Sequence, residues 1–377
     1  MITLLAWIGL VMGGELTDVR LFSGAGHARL LLIHTGEPTN IRTRSVPSIA
    51  GSDARGIVLL GDVSADGIDN RTLNEGGLLN LSITAVNNEA QVTVTMESAR
   101  TVRAVTLSPG VILVDLIEEG RGEDPTLPSA EQLRGWLEGV SFAPQQVTTP
   151  RGYKLVVVDA GHGGWDHGAV GTTGTREADI ALQLAHRVAI GLEAELGVEV
   201  LMTREDDTFI PLRERAAIAN QAGADLFLSI HANAAPGPAA WGIETYSMDT
   251  ASDGGAARVA RRENVLAREN GESEDALLIG KLLSDGTNRL SRELAIEIQD
   301  NVVSRLGEVY GAAVIRDLGA KTALFYVLVS TRMPAILFEA SFVSNPEDEK
   351  KLRSPHFQQA EADAIVESVG RWLERQE

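Results

Sequence analysis

Two histidines and two glutamates in the second half of the chain have the residue types of a hydrolytic metal site. They are His162, Glu177, His231 and Glu339. Two imidazoles and one carboxylate with an open fourth position form the ligand set of catalytic zinc hydrolases, and a second carboxylate can then serve as the base for water. The residue types leave open which glutamate is the ligand. A histidine after a strand is also often a plain loop residue, and acids are common at helix starts.

The elements that must position these residues follow from the apolar pattern. The β-branched run KLVVVDA stops abruptly in the small-residue loop GHGG, which predicts a buried strand with His162 at its carboxyl end. A helix from about Ala178 to Leu196, a strand in VEVLMTR, a helix opened by Pro211 and a strand in DLFLSIHAN follow. This βαβαβ order predicts an α/β domain with a mostly parallel sheet and helices on both faces. Its strand ends would bring His162, His231 and Glu339 to one edge.

The rest of this α/β domain, which we place at residues 152–377, is predicted to contain two more strands, in GIETYSM and PAILFEA. Further helices are expected at Ser291–Tyr310, Pro346–Leu352 and Phe357–Leu373. An insertion at about residues 249–290 interrupts the pattern with a polar hinge at Ser252–Gly255, a helical segment that Gly271 ends, and a second short helix in ALLIGKLL. An insertion beside a candidate active site is usually functional.

The first half of the chain has a different pattern. From Glu15 to Glu119, short alternating apolar runs separated by Gly, Asn, Asp and Pro clusters predict six or more antiparallel strands in a small all-β sandwich. His27 and His34 have no acidic or histidine neighbours at useful spacing, so we expect this domain to bind a ligand without transforming it. The charged, proline-containing residues 120–151 are predicted to be an interdomain linker with at most one short helix, at about Ala130–Leu137.

Composition limits the classes of partner and of metal site. The 377 residues are 44% hydrophobic and carry a formal net charge of −19. This acidity argues against nucleic acid as a partner, because neutralising phosphates requires a basic face. The sequence has no cysteine, so disulfides and thiolate sites are excluded, and any zinc must be held by histidine and carboxylate.

The amino terminus is apolar from Ile2 to Met12, which is too short to span a bilayer but suits the core of a signal peptide. We therefore expect residues 1–14 to be a signal-peptide remnant, the protein to be exported, and the mature chain to have no membrane span. An ordinary amino-terminal strand is the alternative, because the basic segment of a signal peptide is missing.

Six motifs in the second half occur in the order typical of one family. They are DAGHGGWDHGAVG, the acid in TREADIAL, TREDDTFIPLRERAAIAN, ADLFLSIHAN, GIETY and FEASFVSNPEDEKKL. From about Lys154 to the end, they resemble the zinc-dependent N-acetylmuramoyl-L-alanine amidases of the Amidase_3 family. The β-rich first half is similar to the AMIN domain, with RGIVLLGDV at the place of the RxVxDL-like strand, which implies a role in envelope targeting.

The resemblance implies a role for each of the four residues. His162, Glu177 and His231 would bind Zn²⁺, and Glu339 would be the catalytic acid/base. The substrate would be peptidoglycan, cut at the amide between N-acetylmuramic acid and the first L-alanine of the stem peptide. Zn²⁺ would activate water and stabilise the oxyanion, while Glu339 would pass a proton to the leaving nitrogen.

Other residues are assigned supporting roles. His167 replaces the family's usual proline and is expected at the surface, while Ser341 replaces a glycine and is expected to narrow the cleft. Asp159 and Asn233 would either orient the imidazoles or cap the adjacent loops. Glu244 is expected to be a substrate-side or supporting acid. An ion-pair network that holds strand and helix is predicted for Arg204, Asp207 and Arg215.

The insertion leads to a hypothesis about regulation. A helix at Ala256–Asn270 would place Val259, Glu263 and Leu266 at i, i+4 and i+7, and so put a carboxylate on an apolar stripe. A buried acid is costly unless it finds a partner. The chain also resembles division amidases of this family, in which an inserted helix blocks the cleft until an activator moves it. We therefore expect Glu263 to cap the zinc, with Glu269 as second choice; a solvated helix with an incidental acid is the alternative.

Two other functions fit part of the sequence. A zinc peptidase that cleaves within the stem peptide would share the ligands and differ in its products. A non-catalytic cell-wall-binding protein would lack bound zinc. The resemblance to exported division amidases favours the periplasm, cell separation as the process, and peptidoglycan and an activator protein as partners.

Overall fold

The structure is a computed structural model of the 377-residue chain. It describes residues 14–118 apart from residues 25–26, 36–37, 49–51, 66–67, 76, 87–88 and 109, then residues 128, 132–133 and 136, and finally residues 154–266 and 285–376. The chain divides into two compact units between Trp136 and Leu137.

The first unit is an all-β sandwich, as predicted. Its strands are β1 (Gly14–Gly24), β2 (His27–His34), β3 (Ile41–Val46), β4 (Ala54–Gly61), β5 (Val63–Ser64), β6 (Arg71–Glu75), β7 (Leu78–Val86), β8 (Glu89–Met96), β9 (Arg100–Ser108) and β10 (Val111–Glu118). They form two five-stranded sheets with the orders β5-β1-β2-β10-β9 and β3-β4-β8-β7-β6. Alternate residues of both sheets, such as Leu30, Leu32, Val92 and Val94, share one core.

The first unit extends into the segment predicted as linker. Leu133 is buried, and the ring of Trp136 stacks on Phe22 with a centroid distance of 4.4 Å. Arg20 Nη1 also donates to the carbonyl oxygen of Trp136. Burial of Leu133 and the stacking of Trp136 hold this segment against the first unit. The charged residues around them had indicated an exposed linker.

The second unit has a six-stranded sheet. Its strands are β11 (Leu155–Ala160), β12 (Glu199–Met202), β13 (Leu226–Asn233), β14 (Ile243–Met248), β15 (Asp317–Ala323) and β16 (Ala335–Phe342). They lie in the order β12-β11-β13-β16-β14-β15, and four of the five pairings are parallel. The pairing of β14 with β16 is antiparallel and places Glu244 opposite Glu339. The strand β15, in the Gly- and Ala-containing run DLGAKTA, was not predicted.

Helices cover both faces of this sheet. They are α1 (Glu177–Leu196), α2 (Leu212–Ala222), α3 (Gly254–Glu263), α4 (Asp285–Tyr310), α5 (Tyr326–Val329), α6 (Pro346–Leu352) and α7 (Pro355–Glu374), with a 3₁₀ turn at Ala312–Val314. Val156 and Val158 of β11 join a core with α1, α4 and α7, whereas Leu155 and Val157 join a core on the other face with α3. A strand buried on both faces explains the unbroken apolar run that predicted it.

The inserted helix α3 starts inside the predicted hinge, because Asp253 caps it by accepting a hydrogen bond from Ala256 N. Ala256, Val259 and Ala260 anchor it in the core. Glu269, Gly271 and the segment ALLIGKLL lie outside the described residues. Among the residues described, none of the helices combines the length and apolarity needed to cross a membrane.

Candidate metal centre

The loop after β11 presents one nitrogen of His162 to the site. His162 has a left-handed backbone, with φ of 59°. Its Nδ1 lies 2.9 Å from Oδ2 of Asp166, whose Oδ1 accepts a hydrogen bond from Gly168 N. A carboxylate on one ring nitrogen fixes the ring and leaves the other nitrogen for a metal. Sequence analysis missed Asp166; an acid four residues after a candidate histidine ligand was the available signal.

Glycines let the ligands converge. A Cβ atom at Gly161 would lie 2.4 Å from Cε1 of His231. At Gly168, where φ is 64°, a Cβ would lie 2.7 Å from Cδ2 of His162 and 2.8 Å from Oε2 of Glu177. The small-residue loop is therefore required for these side chains to pack together.

Glu177 is the first residue of α1 and is fully buried. Its Oε2 accepts a hydrogen bond from Ala169 N, and its Oε1 accepts one from Ala232 N. Oε1 also lies 3.1 Å from both Nε2 of His162 and Nδ1 of His231. Burial raises the pKa of Glu177, but the charges of His162 and Arg262 outweigh burial and lower it.

Glu263 of α3 completes the cluster. Its Oε2 lies 3.3 Å from Nε2 of His162 and 3.2 Å from Nδ1 of His231. One donor atom from each of His162, Glu177, His231 and Glu263 lies within 4.8 Å of all the others. Burial raises the pKa of Glu263, but Arg262 and His231 lower it well below its usual range.

These four side chains fit a tetrahedral metal ion. Bonds of about 2.0–2.1 Å to zinc require donor atoms ~3.3 Å apart, and the four histidine–carboxylate separations are 3.1–3.3 Å, with all donor pairs within 4.8 Å. Nε2 of His162 is buried and forms no hydrogen bond with any described residue, although two carboxylates are near. His231 Nδ1, by contrast, is hydrogen-bonded to Glu177 Oε1. A buried histidine nitrogen without a hydrogen bond, next to two carboxylates, is typical of a metal ligand.

Glu339 lies beside this cluster, within β16, which continues to Phe342 and does not end at Glu339 as predicted. It is fully buried, and neither carboxylate oxygen forms a hydrogen bond within the described part of the chain. Burial raises its pKa to about 8, with Arg262 opposing this effect and Glu263 and Glu177 adding to it. An uncommitted buried carboxyl group with such a pKa has the properties of a general acid/base.

Arg262 connects the carboxylates, and sequence analysis did not identify it. Its Nη2 lies 2.6 Å from Oε1 of Glu263, 3.6 Å from Oε1 of Glu339 and 3.8 Å from Oε1 of Glu177. Its Nη1 donates to the carbonyl oxygen of Ala234. One guanidinium therefore offsets part of the repulsion among three buried acids.

Asp159 supports the main chain of the His162 loop through Arg215. Asp159 accepts hydrogen bonds from Thr203, Ser229 and Arg215, so its bonds go to these groups and not to an imidazole. Arg215 in turn donates to the carbonyl oxygens of Ala160 and His162. Of the two roles predicted for Asp159, these contacts favour support of the adjacent loop, through Arg215, over a direct bond to an imidazole.

The predicted ion-pair network is only partly present. Arg215 pairs with Asp159, and Asp207 pairs with Arg176 and accepts a hydrogen bond from Gly164 N. Arg204 instead donates to backbone carbonyl oxygens, including those of Ala160, Gly161 and Ala178.

Glu244 and Asn233 form a second network behind Glu339. Glu244 accepts hydrogen bonds from Asn233 Nδ2, Tyr246 Oη and Lys321 Nζ and is only 4% exposed. These partners give Glu244 a supporting position, and they do not leave it open towards a substrate. His167 is exposed, whereas the Ser341 hydroxyl is buried and has no hydrogen-bond partner among the described residues.

Comparison with known proteins identifies relatives of the second unit. Residues 156–371 match the family described as N-acetylmuramoyl-L-alanine amidase. The chain is 34% identical over 223 residues to the N-acetylmuramoyl-L-alanine amidase AmiA of Escherichia coli K12, which covers 58% of this chain and 75% of that protein. It is 32% identical over 283 residues to AmiC of Neisseria meningitidis serogroup B, which covers 70% of this chain and 65% of that protein.

Among solved structures, the N-acetylmuramoyl-L-alanine amidase of Clostridium difficile 630 is 32% identical, with a TM-score of 0.46 over 60% of this chain and 99% of that one. The similarity of the first unit to the AMIN domain stays a prediction. The family match covers more than half of this chain, and the match to AmiA covers 75% of that relative. The chain therefore belongs to the N-acetylmuramoyl-L-alanine amidase family, Amidase_3, as its motifs predicted.

Proposed function

We propose that the protein is a zinc-dependent hydrolase that cuts the amide between N-acetylmuramic acid and L-alanine in peptidoglycan. The observation that carries this proposal is the convergence of donor atoms from His162, Glu177, His231 and Glu263 within 4.8 Å, with the buried carboxyl group of Glu339 alongside. The family match supports the choice of bond.

Each residue then has a chemical task. His162, Glu177 and His231 would hold the metal, while Asp166 keeps Nε2 of His162 turned towards it. When bound, zinc supplies Lewis-acid chemistry that acidifies water and polarises a carbonyl group. Glu339 takes a proton from the attacking water and delivers it to the leaving nitrogen, which requires a carboxyl group without other hydrogen-bond commitments.

We infer further that the described conformation is self-inhibited. A catalytic zinc site needs an open fourth position, and the carboxylate of Glu263 occupies the place of a fourth ligand. Arg262, from the same helix, lies between this carboxylate and Glu339, where substrate and water would have to enter. Activity then requires α3 to move, which is the task of an activator protein.

The cellular role follows from the same resemblance and is also proposed. The protein would be exported to the periplasm and act in cell separation, with the first unit directing it to the envelope. Regulation by a blocking helix suits this role, since uncontrolled hydrolysis would damage the wall.

The substitution Glu339→Gln tests the assignment of roles. It keeps the shape of the side chain and removes its ability to accept a proton, so turnover of purified peptidoglycan should fall by about 10²- to 10⁴-fold. Elemental analysis should show an unchanged zinc content. Loss of zinc in this variant, or undiminished turnover, would mean that Glu339 is not the acid/base.

A further inference from the structure

An exposed aromatic side chain stands next to the metal centre. Trp165 is 66% exposed, the highest value for a large apolar side chain among the described residues. In the sequence it lies between His162 and Asp166, whose side chains are hydrogen-bonded to each other. The catalytic scheme above does not use it. Leaving an indole in water is unfavourable, and an exposed aromatic ring beside reactive groups is typical of a binding surface.

The indole is held in place by its surroundings. Gly163 and Asp166 exchange two backbone hydrogen bonds, of 2.8 and 3.2 Å, so the turn that carries Trp165 is closed. Asp207 accepts a hydrogen bond from Gly164 N and ties the turn to the next loop. The Trp165 ring lies 4.3 Å from that of Phe209, tilted by 38°. A rigid aromatic surface pays little conformational entropy on binding a ligand.

The polar groups around the ring indicate the chemistry of the ligand. Asp206, Asp207 and Thr208 are exposed in the loop that leads to Phe209. Asp207 is paired with Arg176, and Asp206 accepts a hydrogen bond from the Thr208 hydroxyl, so two acids and one arginine leave a negative charge that disfavours anions. The remaining lone pairs of these carboxylates can accept hydrogen bonds from hydroxyl groups of a ligand. An indole offers an apolar face that suits the C–H face of a pyranose ring. The combination favours a neutral, hydroxyl-rich sugar over an acidic peptide.

We propose that Trp165 and Phe209 form a sugar subsite, where the indole stacks on an N-acetylated sugar of the glycan strand that carries the scissile amide. This inference rests on the proposed function, because that amide is attached to a sugar. The turn of Trp165 is continuous with the loop of His162, so a strand bound there is held beside the reacting centre.

Quenching of tryptophan fluorescence by acrylamide tests the subsite without turnover. The full chain is compared with Trp165→Phe, so that the difference isolates the signal of Trp165 from the other four tryptophans. A neutral oligosaccharide of β-1,4-linked N-acetylglucosamine, used as the glycan probe, should protect this component from the quencher, and an isolated stem peptide should not. Unprotected Trp165, or protection by the stem peptide alone, would overturn the proposal; the second result would assign a peptide subsite.

Kinetics separate this proposal from the proposed function. Because α3 is proposed to block the site, these variants are all made in the Glu263→Ala protein. For a muramyl peptide, Trp165→Ala should then raise KM about tenfold, with Trp165→Phe close to the parent. For a lactoyl peptide that lacks the sugar, the same change should have no effect. Ile190→Ala, which alters a 64% exposed apolar side chain on α1, is the matched control. An unchanged KM in Trp165→Ala would overturn the sugar subsite and leave the proposed amidase activity intact. Protection by glycan in a protein that cleaves neither substrate would overturn the amidase activity and leave the subsite intact.

Discussion

At the scale of single residues, hydrogen bonds to neighbouring groups orient the side chains of the site. Asp166 is hydrogen-bonded to Nδ1 of His162, which leaves Nε2 facing the cluster. Backbone amides donate to both carboxylate oxygens of Glu177 and fix its side chain there. His162, Glu177, His231 and Glu339 could be predicted because each lies at or near an end of a recognisable element. Asp166 and Arg262 could not, because their roles depend on distances across loops that the sequence does not contain.

Asp166→Ala tests how much the orientation of one ring matters. Without the carboxylate, His162 can rotate and change tautomer, so zinc affinity should fall by about 10- to 100-fold. Competition with a coloured chelator measures this directly. The matched control is His167→Ala, which removes an exposed neighbouring side chain and should leave affinity unchanged. Equal affinities for the parent and Asp166→Ala would show that the loop alone orients His162.

At the scale of elements, the proposed self-inhibition assigns to α3 the control of access to the site. The helix predicted at Ala256–Asn270 ends at Glu263, so Leu266 of the predicted stripe lies beyond α3. Val259 and Glu263 share the buried face as their spacing predicted. The start of α3 was not predictable, because Asp253 acts as a cap and the polar stretch around it resembled a hinge. The antiparallel pairing of β14 with β16 was also missed, since apolar periodicity carries no information about strand direction.

Glu263→Ala should raise the basal rate of peptidoglycan hydrolysis, because it frees the fourth position without removing any of the three proposed ligands. Dye release from labelled peptidoglycan, measured without an activator, gives the rate. Arg261→Ala changes an exposed residue of the same helix and should behave as the parent protein. If both variants hydrolyse at the parental rate, α3 does not inhibit by capping.

At the scale of the whole molecule, two units with separate cores could be predicted from the change of apolar periodicity along the chain. Their boundary could not, because Trp136 joins the first unit through a ring contact with Phe22 that no local pattern shows. One buried acid away from the metal site lowers the stability of the second unit. Glu361 of α7 is fully buried, and its oxygens form no hydrogen bond within the described part of the chain.

This buried acid should make stability depend on pH. Burial raises the pKa of Glu361 well above 4.5; Lys351 opposes the shift and Asp348 adds to it. The folded state therefore binds the proton more tightly than the unfolded state, so stability falls as pH rises from about 4.5, by at most ~1.4 kcal/mol per pH unit. Glu361→Gln removes this loss. Its thermal midpoint should exceed the parental one by more at pH 8 than at pH 5.

The exposed Glu374 of the same helix supplies the control, since Glu374→Gln should shift the midpoint equally at both pH values. A constant difference between Glu361→Gln and the parent across this range would show that Glu361 is charged in the folded protein and has found a partner.

The bond cut by the protein distinguishes the proposed amidase from a stem-peptide peptidase. Purified peptidoglycan should be digested with the full chain and with Glu263→Ala, with and without a chelator, and the products analysed by mass spectrometry. We expect free stem peptides that begin with L-alanine, released faster by Glu263→Ala than by the parent protein. Their release should stop in the chelator and resume when zinc is added, and any other pattern contradicts the zinc amidase. Fragments cut within the stem peptide, release that persists in the chelator, or no product from either protein would contradict it.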